Sequence, residues 1–410
     1  MKTKSKKNTK WRRARHRFVR NLVFTFLAPY SRFKYGVRVE PLRNQGKRPY
    51  LILFNHQTAF DQFFVGMAFK EPVYYVASED LFSDGFVSSL IRYLVAPIPI
   101  RKQTTDVRAV MNCIKVAKEG GTIAIAPEGN RTYSGKTGYM SPAIASLAKK
   151  LKLPIALYRI EGGYYVHPRW SDATRKLRGG HMHGYVSRVI EPSEYATLSD
   201  GELFELIKSE LFVDESVPSS LSVKSKSIAD GLERAFFVCP ECGVTSFNSK
   251  GCEIVCSRCG WKASLDGNYR LVTEGNRFNS IGEWYAYQEE KILSLDPDSL
   301  TEEALTVDGG VRLSRVILYK RKELLSEGLE LRLFGDRIEI NGKDTDTRVF
   351  LFAECDAITV LGKNKCNIYH RGEVLQLKGR KSMNALKLVN FFHNYKNKHS
   401  EVKDGQFLGL

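Results

Sequence analysis

Short apolar runs alternate with helical patterns along the first half of the chain. The strand-like runs cover residues 50–54, 73–76, 122–126 and 155–158, and the helical patterns include residues 106–118 and 143–151. Strands that alternate with helices pack as layers, with the helices covering the faces of a sheet. We therefore predict that residues 36–213 form an α/β domain, a mixed sheet with flanking helices.

A period-two pattern dominates the last hundred residues. Apolar and polar positions alternate in residues 329–333 and 337–340 around a Gly-Asp dipeptide, and a second such pair surrounds Gly372. Alternation about a short polar turn is typical of β-hairpins. We expect residues 300–399 to form a β-rich domain of about seven strands, a pattern similar to the pleckstrin-homology-like fold. One helix, with Ser382 as its N-cap, should close this domain.

Cysteine usage predicts a metal module between these regions. Two Cys-x-x-Cys pairs, each followed by glycine, are formed by Cys239, Cys242, Cys256 and Cys259. Four thiolates can close a tetrahedral site, so residues 236–270 are predicted to be a zinc ribbon that holds a structural Zn²⁺. Cys252 lies outside this pattern, and two disulfides are the alternative that a reducing compartment disfavours. The Ser- and Lys-rich residues 214–235 are predicted to be a linker.

The chain is basic, and the excess is uneven. The net charge is +18, from 63 Lys and Arg against 45 Asp and Glu, and ten cations lie between Lys2 and Arg20 without an acidic residue. Such a segment favours an anionic partner: a membrane, a nucleic acid or a phosphorylated substrate. The apolar stretch that follows is shorter than the roughly 18–20 residues that a spanning helix needs. We predict that residues 1–35 lie on a phospholipid surface, peripheral or monotopic on the cytoplasmic face. Residues 85–95 are expected to belong to the core, with a second membrane-contacting face as the alternative.

A histidine and an aspartate follow the first strand-like run. His56 comes two residues after that run, and Asp61 follows five positions later. A carboxylate beside an imidazole fixes the tautomer of the ring, so that the other ring nitrogen can act as a general base. A histidine at a strand end can equally be structural, so this pair alone decides nothing.

Two further blocks with charged residues also follow strand-like runs. One contains Glu128, Gly129 and Arg131: the glycine permits a tight turn, the carboxylate suits polyol hydroxyls, and the guanidinium suits phosphate. The other ends at Arg101 and Lys102, another candidate phosphate contact. A surface turn and a solvated strand end are the structural alternatives.

Taken in order, these blocks resemble the glycerolipid acyltransferase family, which contains the 1-acylglycerol-3-phosphate acyltransferases. Asn55, His56 and Asp61 match its Asn-His-x4-Asp motif, and the apolar run that ends at Arg101 matches its second motif. Residues 126–131 match its third motif, with Ala126 in place of the usual aromatic residue and Asn130 in place of threonine. A fourth block begins at Pro154, and the resemblance covers about half of the chain.

The resemblance implies an O-acyltransferase. His56 would deprotonate a glycerol hydroxyl, which attacks an acyl thioester of coenzyme A or acyl carrier protein, while Asp61 orients the imidazole. Arg101 and Arg131 would hold the acceptor's phosphate, and Glu128 would order the glycerol. The expected acceptor is the lysophospholipid 1-acylglycerol 3-phosphate, which gives phosphatidic acid. Glycerol 3-phosphate and other lysophospholipids remain alternative acceptors.

A function of another class is also open. The ribbon and the basic tail would serve as an adaptor for nucleic acid or protein, with an inactive acyltransferase-like half. A dead relative would be expected to lose part of the charged set, and His56, Asp61, Glu128 and Arg131 are all present. We therefore expect an enzyme whose ribbon is a candidate contact for a protein partner, and nucleic acid is not the expected partner.

Overall fold

The computed structural model describes residues 10–101, 106–342 and 345–399, so residues 1–9 of the basic tail and Lys102 lie outside the described residues. The α-helices of these ranges are α1 (Ala14–Tyr35), α2 (Asp61–Ala68), α3 (Phe86–Val95), α4 (Val107–Lys118), α5 (Ala143–Leu151), α6 (Gly163–Val166), α7 (Pro192–Tyr195), α8 (Asp200–Leu211), α9 (Ile281–Ser294) and α10 (Leu386–His399).

The strands fall into three groups: the N-terminal half, which we call the catalytic half because it holds the predicted catalytic residues, a ribbon region and a C-terminal domain. Those of the first half are β1 (Val37–Val39), β2 (Leu51–Phe54), β3 (Val73–Ser78), β4 (Ile98–Ile100), β5 (Thr122–Ile125), β6 (Ile155–Glu161), β7 (Leu177–Arg178), β8 (Met182–Ile190) and β9 (Ser222–Val223). Those of the ribbon region are β10 (Val238–Cys239), β11 (Gly243–Val244), β12 (Phe247–Lys250), β13 (Glu253–Cys256), β14 (Lys262–Leu265) and β15 (Leu271–Thr273). Those of the C-terminal domain are β16 (Thr306–Arg315), β17 (Glu323–Leu333), β18 (Arg337–Gly342), β19 (Thr345–Leu351), β20 (Cys355–Leu361), β21 (Lys365–His370) and β22 (Glu373–Lys378).

The first half folds around a mixed sheet. Its strand order, within the described ranges, is β1-β8-β6-β2-β5-β3-β4, and the neighbours pair in parallel except for β6 with β8. The central strand β2 is buried along its length because both faces of the sheet are covered. Leu51 and Leu53 join one apolar core, and Ile52 and Phe54 join the other, as side-chain alternation along a strand requires. The predicted α/β class is confirmed.

Residues 214–235, predicted as a linker, pack tightly against the catalytic half. The Glu215 carboxylate accepts hydrogen bonds from the backbone of Gly162 and Tyr164, and Ile228 and Leu232 are fully buried. A polar composition did not reveal these contacts, because a few buried apolar residues and one buried carboxylate suffice to hold an irregular segment.

The ribbon and the C-terminal domain share one apolar core. Within the described residues β12–β15 form an antiparallel sheet, and Trp284 of α9 stacks on Phe236 and contacts Trp261 of the ribbon. The same core continues into the C-terminal sheet and reaches Trp170 of the catalytic half. The ribbon is therefore packed between its neighbours.

The C-terminal domain is a curled antiparallel sheet. Its described strands follow the order β19-β18-β17-β16-β22-β21-β20, and α10 covers the sheet with Leu388 and Phe392 buried. The β-rich domain and both hairpins are confirmed. The predicted cap is wrong, because α10 begins at Leu386 and the Asn384 side chain accepts from Lys387 N at 3.1 Å. The pleckstrin-homology-like identity stays a prediction.

A buried polar contact joins this domain to the catalytic half. Asp80, in a short 3₁₀ turn after β3, is within ion-pair distance of Lys322 and Lys365, and Glu79 accepts from Tyr369 and Asn367. Burial alone would raise the pKa of Asp80, and the two lysines and a hydrogen bond from the C-terminal sheet instead hold it below its usual range. These contacts position the C-terminal domain against the sheet that carries the candidate site.

Helices α1 and α3 contact each other and expose their apolar side chains. The prediction that residues 85–95 belong to the core is wrong, because Ser88 is the one buried residue of α3 and Phe86 is 80% exposed. On α1 the apolar side chains Phe18, Leu22, Phe26, Tyr30 and Phe33 repeat at helical spacing and are exposed. None of the described helices is long and apolar enough to cross a membrane.

Candidate active site

The imidazole of His56 and the carboxylate of Asp61 form a hydrogen-bonded pair at the carboxyl end of β2. His56 Nδ1 lies 2.8 Å from Asp61 Oδ2. Asp61 is the first residue of α2 and fully buried, and it also accepts from Gln57 N at 2.7 Å and from Thr58 Oγ1 at 2.6 Å. An acceptor carboxylate assigns the proton of the ring to Nδ1 and leaves the base function to Nε2.

Asn55 holds the loop that carries His56. Its side-chain amide donates to Ile160 O at 2.9 Å and accepts from Ile160 N at 2.7 Å, so it pairs with the end of the neighbouring strand β6. Asparagine suits this place because its amide provides one donor and one acceptor. These two hydrogen bonds fix the loop at the edge of the sheet that is formed by the carboxyl ends of its parallel strands. Ligands of α/β folds bind at this edge.

Glu128, in the loop after β5, forms a direct hydrogen bond to the loop that carries His56. Its Oε1 accepts from His56 N at 2.7 Å and its Oε2 accepts from Gly138 N at 2.8 Å, and the residue is buried. Burial raises the pKa of Glu128 to about 8, and the two amide donors limit the rise. The structure thus shows Glu128 ordering the backbone around His56, while the predicted contact with glycerol hydroxyls stays a prediction.

Gly129 and Arg131 form the turn after β5. Gly129 has φ +68°, a left-handed conformation, and its N–H donates to Ala126 O at 2.9 Å. Arg131 Nη1 is buried and has no hydrogen-bond partner among the described residues. Burial and the nearby Arg169 cation lower the pKa of Arg131 to about 10, so the guanidinium stays charged at neutral pH. An unpartnered buried guanidinium is a site for an anionic group.

Arg101 lies apart from this group. It follows β4, which is separated from β2 by β5 and β3, or about 14 Å at ordinary strand spacing. Its side chain is exposed, and its backbone N–H donates to Asp106 Oδ2 at 2.9 Å. The structure therefore brings His56, Asp61, Glu128 and Arg131 together and leaves Arg101 at the rim of the same sheet edge.

Two buried residues near Arg131 were missed by the sequence reasoning. Arg169 is 2% exposed and donates to Arg131 O at 2.8 Å and to Gly362 O of the C-terminal domain at 3.2 Å. His167 is also buried, and desolvation, with Arg131 as the next cause, lowers its pKa to about 3. Neither residue could be recognised from its neighbours in the sequence. Arginine and histidine are seldom this buried, so exposure is the default expectation for both.

The four cysteines form a compact tetrahedral set. Cys239 Sγ lies 3.6 Å from Cys259 Sγ, Cys242 Sγ lies 3.5 Å from Cys256 Sγ, and all four sulfur atoms are within 4.8 Å of one another. Zn–S bonds of about 2.3 Å in a tetrahedron place sulfur atoms about 3.8 Å apart, so the set fits Zn²⁺. The predicted cluster is confirmed, and Cys252 stands outside it.

A His–Asp pair beside a buried cation at the edge of a mixed sheet can accept a proton and can bind an anionic group. Residues 36–166 match the sequence model of the family described as Acyltransferase. The chain is 30% identical over 191 residues to a 1-acyl-sn-glycerol-3-phosphate acyltransferase from Pseudomonas aeruginosa, covering 45% of this chain and 70% of that protein. The chain therefore belongs to the acyltransferase family, and the prediction of an enzyme is confirmed.

A solved structure is also similar. The crystal structure of PlsC, the 1-acyl-sn-glycerophosphate acyltransferase from Thermotoga maritima, is 24% identical, with a TM-score of 0.38. The similarity covers 48% of this chain and 75% of that chain.

Proposed function

We propose that this glycerolipid acyltransferase transfers a fatty acyl group from an acyl thioester to the free hydroxyl of 1-acylglycerol 3-phosphate. The observation that carries the proposal is the hydrogen-bonded set of His56, Asp61 and Glu128 beside Arg131. Nη1 of Arg131 has no hydrogen-bond partner among the described residues. A base beside an anion site suits an acceptor that carries both a hydroxyl and a phosphate. The Pseudomonas relative is a 1-acyl-sn-glycerol-3-phosphate acyltransferase, which supports the same acceptor.

The chemistry needs no nucleophile from the protein. His56 Nε2 removes the proton of the acceptor hydroxyl as its oxygen attacks the thioester carbonyl carbon. The tetrahedral intermediate collapses when the C–S bond breaks, and the imidazolium returns the proton to the thiolate that leaves. Asp61 stabilises the imidazolium between these steps and keeps the ring oriented.

The phosphate of the acceptor is assigned to Arg131. Its Nη1 is buried and has no partner in the described part of the chain, so a phosphate oxygen of the acceptor would supply a hydrogen-bond acceptor there. Arg101 at the rim would meet the phosphate or the polar end of the donor. Glu128 acts as a positioning residue, because its carboxylate ties the His56 backbone to the loop of Gly138.

The exposed apolar faces of α1 and α3 are assigned to a phospholipid surface. Phe26 is 69% exposed and Phe86 is 80% exposed, and cations including Arg15 and Arg92 lie on the same two helices. Apolar groups that enter the acyl boundary beside cations that meet acidic headgroups are typical of interfacial helices. The cytoplasmic face of a membrane provides such headgroups, and the substrate and product both reside in the bilayer.

A substrate panel tests the reaction. The purified protein is incubated with acyl-coenzyme A or acyl carrier protein and with lysophosphatidate, glycerol 3-phosphate or lysophosphatidylcholine. Phosphatidic acid from lysophosphatidate should form fastest. Preferred use of glycerol 3-phosphate would move the assignment to the other acceptor, and no transfer to any of the three would overturn it.

Vesicle sedimentation tests the membrane surface. Phe26→Asp with Phe86→Asp should release the protein from vesicles that contain acidic phospholipid, while its thermal unfolding stays unchanged because both side chains are exposed. Val272→Asp with Val307→Asp is the matched control, since both valines are exposed elsewhere on the molecule. Equal binding by the two double variants would remove α1 and α3 from the proposal.

A further inference from the structure

A cationic cavity lies where the catalytic half, the connecting segment (residues 214–235) and the C-terminal domain meet. Its volume is about 510 Å³. Six of its lining side chains are cationic and one is acidic: Arg234, Arg312, Lys363, Lys378, Arg380 and Lys381 against Asp172. His56, Asp61, Glu128 and Arg131 are not among the residues that line it.

The acidic groups near the cavity neutralise only part of this charge. Asp172 pairs with Lys363 at 2.6 Å and with Arg234 at 2.9 Å, and Arg312 pairs with Glu327 at 3.1 Å. Burial alone would raise the pKa of Asp172, but hydrogen bonds from Arg234 and Lys363 bring it to about 2, so it is ionised at neutral pH. The Asp172 carboxylate is therefore already shared between two of the cations.

Three cations remain without an acidic partner. Lys378, Arg380 and Lys381 form no ion pair within the part of the chain that the structure describes, and all three are exposed toward solvent. They follow one another at the end of β22, where mutual repulsion is not relieved by any described carboxylate. Like charges gathered in one concave surface raise the local concentration of anions.

The walls of the cavity are held in place by buried and hydrogen-bonded groups. Arg234 is 5% exposed, and it donates to Trp170 O at 2.8 Å and to Lys381 O at 2.6 Å. Asn364 donates to Gly379 O at 2.7 Å and to Arg380 O at 3.0 Å, which ties the β20–β21 turn to the segment after β22. A site whose cations are positioned before a ligand arrives loses less entropy on binding.

We propose that the cationic cavity binds an anion that carries more than one phosphate charge. A guanidinium group can donate two parallel hydrogen bonds to one phosphate, and a lysine ammonium adds a compact positive charge. Both types of side chain line the cavity. Its volume lies within the roughly 300–1,000 Å³ of small-molecule sites. The same chemistry is offered by a free polyphosphate, by coenzyme A and by the headgroup of a phosphoinositide, so the experiment distinguishes these sources.

The test measures binding without turnover, so it does not depend on the acyl acceptor. Pyrophosphate and coenzyme A are titrated calorimetrically into the full chain, and phosphatidylcholine vesicles with and without a phosphoinositide are sedimented with it. Lys378→Ala with Arg380→Ala should weaken binding at least about tenfold, or about 1.4 kcal/mol, at low salt. Arg348→Ala with Lys398→Ala removes the same charge from exposed positions outside the cavity and should bind as the parent does.

The outcomes separate the sources and the failure. Cavity-dependent binding of pyrophosphate or coenzyme A assigns a free ligand, and cavity-dependent binding of the phosphoinositide vesicles alone assigns a lipid headgroup. Absence of binding by all three probes, or an equal loss in both double variants, would overturn the proposal. Unchanged thermal unfolding of the cavity variant, expected because Lys378 and Arg380 are exposed, shows that lost binding is not lost structure.

Discussion

The residues of the candidate active site are far apart in the sequence, whereas those of the cysteine cluster are close together. The four cysteines come from two Cys-x-x-Cys pairs, or knuckles, within the 21 residues 239–259. Each knuckle is followed by a glycine with positive φ. The active-site set draws on the ends of β2 and β5, so His56 and Glu128 are 72 positions apart when they meet. The cysteine cluster is built from local hairpins, whereas the active site depends on the whole sheet.

This difference separates stability from activity. A zinc ligand holds its own small fold together, since structural zinc binding is folding energy. The His56 side chain is half-buried at a strand end and is the proposed general base, so removing it should affect turnover more than the stability of the fold. Three substitutions test this contrast, beginning with the largest effect.

Cys256→Ser should abolish zinc binding. The native chain should contain about one zinc, and a four-thiolate site of this kind contributes on the order of 10 kcal/mol. Loss of the metal should expose Trp261, which is 4% exposed and packs on Trp284, so the tryptophan emission should shift to the red. Metal analysis and fluorescence measure both effects.

Cys252→Ser is the matched control, because Cys252 lies four positions before Cys256 and is exposed outside the cluster. It should keep the zinc and the fluorescence of the parent. A parent protein without zinc, or a Cys256→Ser protein that retains it, would contradict the metal assignment.

His56→Ala should lower the rate of acyl transfer by about three orders of magnitude, because it removes the general base. The melting temperature should stay within about 2 °C, since the lost side chain makes one described hydrogen bond to a buried carboxylate that has other donors. His181→Ala, at an exposed histidine before β8, should leave the rate unchanged. A His56→Ala enzyme that works at the parental rate would exclude the mechanism.

Glu128→Gln should lower the rate of acyl transfer less than His56→Ala does. Glutamine keeps one acceptor for the two backbone donors of His56 and Gly138, so the free energy of unfolding should fall by about 1–3 kcal/mol, with a partial loss of activity. Glu205→Gln, on the exposed face of α8, should change neither quantity.

The Glu128→Gln effect should also depend on pH. The pKa of Glu128 is raised to about 8 in the folded state, so folding favours the protonated carboxyl. The stability that this preference contributes is complete below the unfolded pKa and is lost as the pH rises through about 8. The stability difference between parent and variant should therefore shrink from pH 5 to pH 9 in denaturant titrations. A difference that grows with pH would show that Glu128 is ionised in the fold.

Local signals predicted the parts of the site that are local. The five-residue separation of His56 and Asp61 spans one loop and the first turn of α2, so the pair forms without help from distant segments. The cysteine knuckles are local in the same sense. The period-two patterns likewise predicted the C-terminal hairpins, because side-chain alternation in a strand is a property of the backbone.

The errors arose where exposure is decided by distant segments. Residues 85–95 were expected in the core, yet α3 exposes Phe86 because no other described element covers that face. Residues 214–235 were expected to be a linker, yet Glu215 is buried against the chain near Gly162. Apolar content predicts that a residue gains by burial, but only the fold decides which faces are covered.

By itself the sequence determined the α/β class, the His56–Asp61 pair and the cysteine set, because strand alternation and close spacing act within a few residues. Only the tertiary structure decided that Glu128 holds the His56 backbone, that Arg131 Nη1 has no hydrogen-bond partner among the described residues, and that six cations of two regions surround one cavity. Those facts depend on contacts between residues far apart in the chain. Burial and electrostatic partners belong to the packed molecule, and no window of sequence contains them.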